Sequence, residues 1–114
     1  MSDCLFCDIV SGKISANVIY RDDSVIAFQD IRPVAPVHVL IIPRKHIVSI
    51  LDFEPDDDAL IGRVFQVAGR LARDHGLAQS GFRVVVNAGP DAGQSVFHVH
   101  YHLLGGRQMS WPPG

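Results

Sequence analysis

One stretch near the end of the chain alternates histidine with apolar residues, which limits what this segment can form. It reads Val96-Phe97-His98-Val99-His100-Tyr101-His102-Leu103-Leu104. Successive side chains of a strand point to opposite faces, so a strand here would present its three histidines on one face, roughly 6–7 Å apart. The other face would pack into the core: Phe97, Val99, Tyr101 and Leu103. The alternation predicts a strand, and we interpret its row of imidazoles as a functional site.

The composition is typical of one globular domain, which we expect to span residues 1–114. The chain is 47% hydrophobic and 19% charged, with ten basic and twelve acidic residues and a formal charge of −2. Without a basic tract, binding to nucleic-acid polymers or to anionic membranes is not expected. The sequence shows neither a signal-peptide pattern nor an apolar run near about 18 residues. We therefore expect a cytoplasmic protein.

The remaining patterns predict an α+β fold with a mostly antiparallel sheet. Strand-like runs occupy residues 18–20, 25–28, 37–42 and 82–87, and the first two flank turn residues and predict a hairpin. The run 37–42 is almost continuously apolar, as expected for a central strand.

Two helices are predicted, one short and one long. Asp3 is the expected N-cap of a short helix that Gly12 ends. Pro55 and the aspartates after it begin a long amphipathic helix that Gly76 ends. Gly69 inside that helix costs about 1 kcal/mol relative to alanine. We therefore expect it to pack closely against the sheet or against a second copy of the chain.

Imidazoles in a row suit two kinds of chemistry. A neutral imidazole is a nucleophile or general base near neutral pH, and imidazolium donates to phosphate oxygens. Histidine also binds zinc, but a catalytic zinc site usually has a carboxylate behind each histidine, and the strand contains none. The preceding Gly93-Gln94-Ser95 offers backbone N–H groups to an anion. Covalent phosphorus chemistry is therefore favoured over a catalytic metal.

The two cysteines form one C-x-x-C motif, Cys4-Leu5-Phe6-Cys7. In a reducing compartment this spacing favours a metal site or plain burial over a structural disulfide.

The segment His98 to Leu104 resembles the signature of the histidine triad (HIT) superfamily. Further segments are similar to its histidine triad nucleotide-binding (Hint) branch: 35–38, 43–46, 86–87, 93–95 and 111–114. The resemblance covers essentially the whole chain. It implies a HIT-like fold with a five-stranded sheet that continues across a homodimer, the tail 107–114 packing near the interface. The implied activity is hydrolysis of purine nucleoside phosphoramidates to AMP or GMP and an amine, with no cofactor required for catalysis.

The resemblance also implies a role for each histidine of the site. His100 falls at the nucleophile's position and would form a nucleotidyl-histidine intermediate. His102 falls at the position that contacts the phosphate, as donor to the phosphoryl group or the leaving amine. His98 would orient its neighbours, and His38 would set the tautomer of the nucleophile.

Nucleotide-binding positions carry over in the same way. Asn87 and Ser95 match phosphate contacts, with Gly93 and Gln94 shaping the loop, and Asp30 matches the residue that accepts hydrogen bonds from the ribose. Trp111 would reach the partner subunit's site. The cleft for the base would be apolar: Leu5, Phe6, Ile9, Ile14, Phe28 and Ile31.

In some relatives a cysteine pair and two histidines hold a structural zinc. The matching residues here are Cys4, Cys7, His46 and His98, and plain burial of the thiols stays the alternative. Two alternatives to the phosphoramidase also stay open: a nucleotide-binding interaction module with little turnover, and a hydrolase of dinucleoside polyphosphates.

Overall fold

Five strands and two α-helices build the fold in a computed structural model that describes residues 3–114. The first two residues of the predicted domain lie outside the described residues. The strands are β1 (Val18–Arg21), β2 (Val25–Gln29), β3 (Val37–Pro43), β4 (Phe82–Val86) and β5 (Tyr101–Gly105). They form one antiparallel sheet in the order β1-β2-β3-β5-β4. With the helices α1 (Leu5–Ser11) and α2 (Asp58–Asp74), this confirms the predicted α+β class.

The helices cover opposite faces of the sheet. On one face α2 packs Val64, Val67 and Leu71 against the cluster that contains Val39 and Tyr101. On the other face Phe6 of α1 packs in a second cluster, formed with Ile26, Phe28, Leu40 and Ile42. Because β3 is central and covered on both sides, its nearly continuous apolar sequence is explained.

Both helix ends of α1 depend on specific residues. The N-cap is Cys4, whose Sγ accepts a hydrogen bond from the Cys7 N–H at 3.4 Å, so the expectation of Asp3 as the cap was wrong. Gly12 ends α1 with φ of +83°, a left-handed conformation that glycine adopts without strain.

Gly69 of α2 has no close neighbour on the sheet. A Cβ built at this position would meet no atom within 4 Å, so packing against the sheet, one of the two expected reasons for this glycine, is wrong. None of the helices in residues 3–114 has the length and apolar character needed to cross a membrane.

The histidine segment is only partly a strand. β5 begins at Tyr101, so His102 lies on it, whereas His98 and His100 lie in the segment before it. Both neighbouring ladders stop here: Tyr101 is the last partner of β4, and β3 ends at Pro43, which has no N–H to donate. The predicted strand over all three histidines is therefore too long.

The apolar side of this segment follows the prediction with one exception. Val99, Tyr101 and Leu103 are buried in the core beside α2. Phe97 is 63% exposed, so its predicted burial was wrong. Its neighbour Val99 donates its N–H to the carbonyl of Ile47 at 2.7 Å. The chain before β5 therefore pairs with the loop after β3, outside the sheet.

Candidate active site and metal centre

His98 and His100 are buried beneath α1. The ring of Phe6 meets both edge-on, with centroids 5.0 Å from His100 and 6.0 Å from His98. The ring of His102 follows on β5, 5.1 Å from that of His100. The three imidazoles thus stay on one side of the chain even though only one of them lies on a strand.

The main chain fixes the tautomer of His100. Its Nδ1 lies 2.8 Å from the carbonyl oxygen of His98. Because a carbonyl only accepts, Nδ1 must carry the proton and donate it. A neutral His100 therefore has its lone pair on Nε2, the arrangement that a nucleophilic imidazole needs.

His38 contacts His102 rather than His100. Its Nε2 lies 2.9 Å from Nδ1 of His102 and 3.3 Å from Oδ2 of Asp30. The expected contact between His38 and the nucleophile is therefore not seen; the carbonyl of His98 takes that place. The other ring nitrogen of His102, Nε2, is buried and has no hydrogen-bond partner within residues 3–114.

Burial keeps these imidazoles neutral. It lowers the pKa of His38, of His98 and of His100 below the ordinary value of 6.5. For His102 burial, followed by the charges of His100 and His38, lowers the pKa to about 4. Neutral rings at pH 7 suit a nucleophile and a hydrogen-bond donor better than a row of cations.

The C-x-x-C motif meets two histidines. Cys4 Sγ lies 3.4 Å from Nδ1 of His98, and Cys7 Sγ lies 3.5 Å from the same atom and 3.2 Å from Nδ1 of His46. All four candidate ligand atoms lie within 4.8 Å of one another. Zinc bonds to sulfur and nitrogen in a tetrahedron imply S···N separations of about 3.5 Å. The four predicted residues therefore could hold a metal ion.

His98 is oriented toward this cluster from behind. Its Nε2 donates to the carbonyl oxygen of Pro43 at 2.8 Å, which leaves the lone pair on Nδ1, the atom that faces the thiols. A hydrogen bond from the second ring nitrogen to a carbonyl is the usual support of a metal-ligating histidine. The donor set and its support both fit a closed tetrahedral zinc site.

Comparison with known proteins places the chain in a family. A family model described as the HIT domain matches residues 11–109. The chain belongs to the HIT domain family. This membership confirms the resemblance seen in the histidine motif.

Relatives of this HIT domain cover its whole length. The crystal structure of a HIT family hydrolase from Legionella pneumophila Philadelphia 1 is 51% identical, with TM-score 0.96, over 98% of this chain and 100% of that one. The 14 kDa zinc-binding protein of Brassica juncea is 46% identical over 98% of this chain and all of its own. Adenylylsulfatase HINT1 of Arabidopsis thaliana is 45% identical over 99% of this chain and 78% of its own.

The residues predicted to line the base cleft of the HIT domain differ in burial and fall into three groups. Phe6 and Phe28 are buried, with ring centroids 5.5 Å apart, so they belong to the core beneath the cleft. Ile31 is 91% exposed, and Leu5 and Ile14 are also exposed, so these three have apolar surface to offer a ligand. Ile9 is half-buried against the core cluster of α1.

The predicted phosphate loop is shaped by Gln94. Its side chain is buried, accepts from the Gly89 N–H at 3.0 Å and donates to the carbonyls of Val48 and Val96. Gly93 has φ of +83°, and Ser95 beside it is exposed. Gln94 thus supports the loop from inside, which leaves Ser95 accessible to a ligand.

Of the other predicted residues, two directly follow strands and one lies in the C-terminal tail. Asp30 directly follows β2 and half-buried Asn87 directly follows β4. Trp111 is 81% exposed in a tail that Arg83 of β4 holds through the carbonyl of Ser110 at 3.1 Å. That Trp111 reaches the site of a partner subunit stays a prediction.

Sequence reasoning missed three main-chain groups of the HIT site. They are the carbonyls of His98 and Pro43 and the N–H of Val34, which donates to Nδ1 of His38 at 3.1 Å. A cavity of about 730 Å³ also went unforeseen; it opens beside Cys4, Cys7 and His46 and extends to Ser95 and Phe97. No residue pattern marks a main-chain partner, because every residue carries the same groups.

The buried imidazoles predict acid sensitivity of the metal-free protein. The unfolded chain binds protons near pH 6.5, whereas these folded-state pKa values are lower, so the unfolded state holds more protons below that pH. The free energy of unfolding is therefore highest above pH 6.5. Below that pH it falls by about 1.4 kcal/mol per pH unit for each extra proton that the unfolded state binds. Urea denaturation between about pH 5 and 8 measures this; a constant free energy across that range would contradict the neutral cluster.

Proposed function

We propose that this chain is a nucleotidyl hydrolase that cleaves purine nucleoside phosphoramidates and releases AMP or GMP and an amine. The observation that carries the proposal is the hydrogen bond from His100 Nδ1 to the His98 carbonyl at 2.8 Å. It leaves the lone pair of a buried, neutral imidazole on Nε2. The ring of His102, whose Nε2 has no hydrogen-bond partner among residues 3–114, lies with its centroid 5.1 Å from that of His100. This pair offers a nucleophile and a second group for the phosphoryl oxygens.

The reaction proceeds in two displacements. His100 Nε2 attacks the α-phosphorus, the P–N bond breaks with its electron pair on the amine, and the amine leaves with a proton from water. During this step the His98 carbonyl stabilises the positive charge that develops on His100. A second water then attacks the phosphorus and gives its proton to the hydroxide left by the first step. The Nε2–P bond breaks with its electron pair on His100, and the nucleotide leaves with His100 restored.

Groups around the triad hold the nucleotide. His102, Asn87 and Ser95 contact the phosphate, and Asp30 accepts from the ribose hydroxyls. The exposed apolar side chains of Leu5, Ile14 and Ile31 cover the base, and the partner's Trp111 contacts the leaving group. The names of two relatives support a reaction of this kind: one is called a hydrolase, the other an adenylylsulfatase.

The test is an assay of AMP release with adenosine 5′-phosphoramidate, adenylyl sulfate and a dinucleoside polyphosphate side by side. We expect turnover of the phosphoramidate with equimolar amine. The name of the Arabidopsis relative suggests adenylyl sulfate as a substrate. Faster cleavage of adenylyl sulfate than of the phosphoramidate would show that the preferred leaving group is sulfate and not an amine. Tight AMP binding without turnover of any of the three would favour the nucleotide-binding module instead.

The metal that we propose for Cys4, Cys7, His46 and His98 is a structural zinc. With four protein ligands the site is closed, so zinc supplies a cross-link and no catalytic water. It joins the start of α1 to the segment that carries His100. The hydrolysis above takes no step through it, and the name of the Brassica relative supports the choice of metal.

We also propose a homodimer in which β4 pairs with its copy. β4 is an edge strand of the sheet, and its Phe82 is exposed. On α2, Phe65 is 51% exposed and Gly62 and Gly69 have open space above them. Long unpaired edges and exposed aromatic surface are usual features of a surface covered by a partner.

This dimer predicts the effect of a large side chain at Gly69. In the single chain, a Cβ at position 69 meets no atom within 4 Å, so Gly69→Arg should keep the fold, whereas in the dimer its side chain would enter the interface. Light scattering after gel filtration should show twice the chain mass of 12.5 kDa for the parent and the single mass for the variant. Ala59→Arg, exposed on the first turn of α2, is the control and should stay dimeric. A Gly69→Arg protein that remains a dimer would show that α2 lies outside the interface.

A further inference from the structure

A chain of hydrogen bonds runs from the main chain of Val34 to His102. The Val34 N–H lies 3.1 Å from Nδ1 of His38, and Nε2 of His38 lies 2.9 Å from Nδ1 of His102. A main-chain N–H can only donate, so Nδ1 of His38 must accept. The proton of a neutral His38 is then on Nε2 and is donated to His102. His102 accepts on Nδ1 and carries its own proton on Nε2.

The surroundings hold this arrangement in place. Val34 lies in the irregular segment between β2 and β3, where its carbonyl accepts from Arg107 Nε at 2.9 Å. Asp30 Oδ1 accepts from the Arg32 N–H at 2.8 Å, and Oδ2 lies 3.3 Å from His38 Nε2. The proton on His38 Nε2 is thus donated to His102 Nδ1, with the Asp30 carboxylate close by. In the opposite tautomer, His38 would turn an N–H toward the N–H of Val34.

We propose that the main-chain N–H of Val34 is a positioning group that keeps His102 a neutral Nε2–H donor throughout the reaction. A proton arriving at Nδ1 of His102 would face the N–H of His38, and loss of the Nε2 proton would leave an imidazolate. His102 therefore hydrogen-bonds to a phosphoryl oxygen and does not pass a proton to the leaving group. The catalytic part of this inference rests on the proposed function, whereas the tautomers do not.

The same tautomer argues against a metal among Asp30, His38 and His102. Their candidate ligand atoms lie within 4.8 Å of one another, which resembles a metal-binding set of two histidines and a carboxylate. A metal bond to His38 needs a lone pair on Nε2, and the Val34 N–H keeps that lone pair on Nδ1. This cluster is therefore a hydrogen-bond relay, unlike the thiol cluster.

Nuclear magnetic resonance of protein with ¹⁵N-labelled histidine tests the tautomers directly. The protein is measured as purified, whether or not it carries zinc. We expect His102 protonated on Nε2 only, and couplings across the two N–H···N hydrogen bonds of the relay. His102 protonated on Nδ1 would overturn the proposal.

Two variants of Val34 separate the N–H from the side chain. Val34→Pro removes the N–H and should yield a mixture of His38 and His102 tautomers with kcat/KM lowered roughly 10- to 100-fold. Val34→Ala keeps the N–H and should keep the parent tautomers. If Val34→Pro does not fold, the parent spectrum alone decides. A folded Val34→Pro with unchanged tautomers would overturn the role of the N–H.

The leaving group tests the catalytic part. For a series of substituted phenyl esters of AMP, the P–O bond breaks with its electron pair on the phenolate, which takes its proton from water. Without a general acid, the single-turnover rate should fall steadily as the phenol becomes more basic. A rate independent of phenol basicity would show proton transfer from the protein and overturn this part. If no ester or phosphoramidate reacts, the proposed function is wrong. The NMR spectrum then still tests the tautomers of His38 and His102 independently.

Discussion

His100→Asn is expected to lower kcat/KM for adenosine phosphoramidate by about 10⁴-fold or more, because it removes the only nucleophilic atom that the protein supplies in the proposed mechanism. Asparagine is chosen for a structural reason. Its amide N–H₂ can replace Nδ1–H as donor to the His98 carbonyl, which accepts at 2.8 Å in the parent. The variant can thus keep the buried hydrogen bond while it loses Nε2.

The control for this variant is His75→Asn. His75 caps the end of α2, with Nδ1 2.8 Å from the carbonyl of Leu71, and it takes no part in the proposed site. We expect parent activity from it and an unchanged AMP affinity from both variants. Parent-like turnover by His100→Asn would exclude His100 as the nucleophile.

Removal of the metal from the thiol cluster is expected to lower Tm by about 15 °C. The four ligands come from three separate segments: the start of α1, the loop after β3 and the segment before β5. A metal ion that binds only the folded chain stabilises it by about 4.1 kcal/mol when the free metal concentration is about 1,000 times the Kd. At about 4 °C per kcal/mol for a domain of this size, this gives the expected shift.

Calorimetry of zinc-loaded and chelator-treated protein measures this shift. Cys4→Ser should melt at the lower temperature whether or not zinc is added, because it removes one of the two thiolates. Cys4 also caps α1, but serine is itself a good N-cap, so the variant tests the metal rather than the cap. Zinc far below one equivalent in protein purified without chelator, together with equal melting of all samples, would rule the site out.

Much of the fold could be predicted because its signals are side-chain patterns. The continuous apolar run of β3 and the alternation at Val99, Tyr101 and Leu103 report burial directly. Phe97 follows the same alternation but is exposed, because no strand lies beside it to continue the sheet. The alternation of apolar residues therefore predicts which face of the strand is buried. The length of the strand depends on where its neighbouring strands end.

The candidate site divides in the same way. The sequence grouped Cys4, Cys7, His46 and His98, and the structure brings their ligand atoms into one cluster. It paired His38 with His100, whereas in the structure His38 is hydrogen-bonded to His102. What it missed is the control of their protons by the His98 and Pro43 carbonyls and the Val34 N–H. These groups are common to all residues, so only the folded chain shows which of them face a histidine.

The most direct test of the central claim is the mass of the protein itself during turnover. The protein is mixed with adenosine phosphoramidate, quenched without acid and analysed intact and after proteolysis. We expect a transient adduct of one adenylyl group on the peptide that contains His100, absent in His100→Asn. An adduct on another residue, or AMP release with no adduct at any time point, would contradict it.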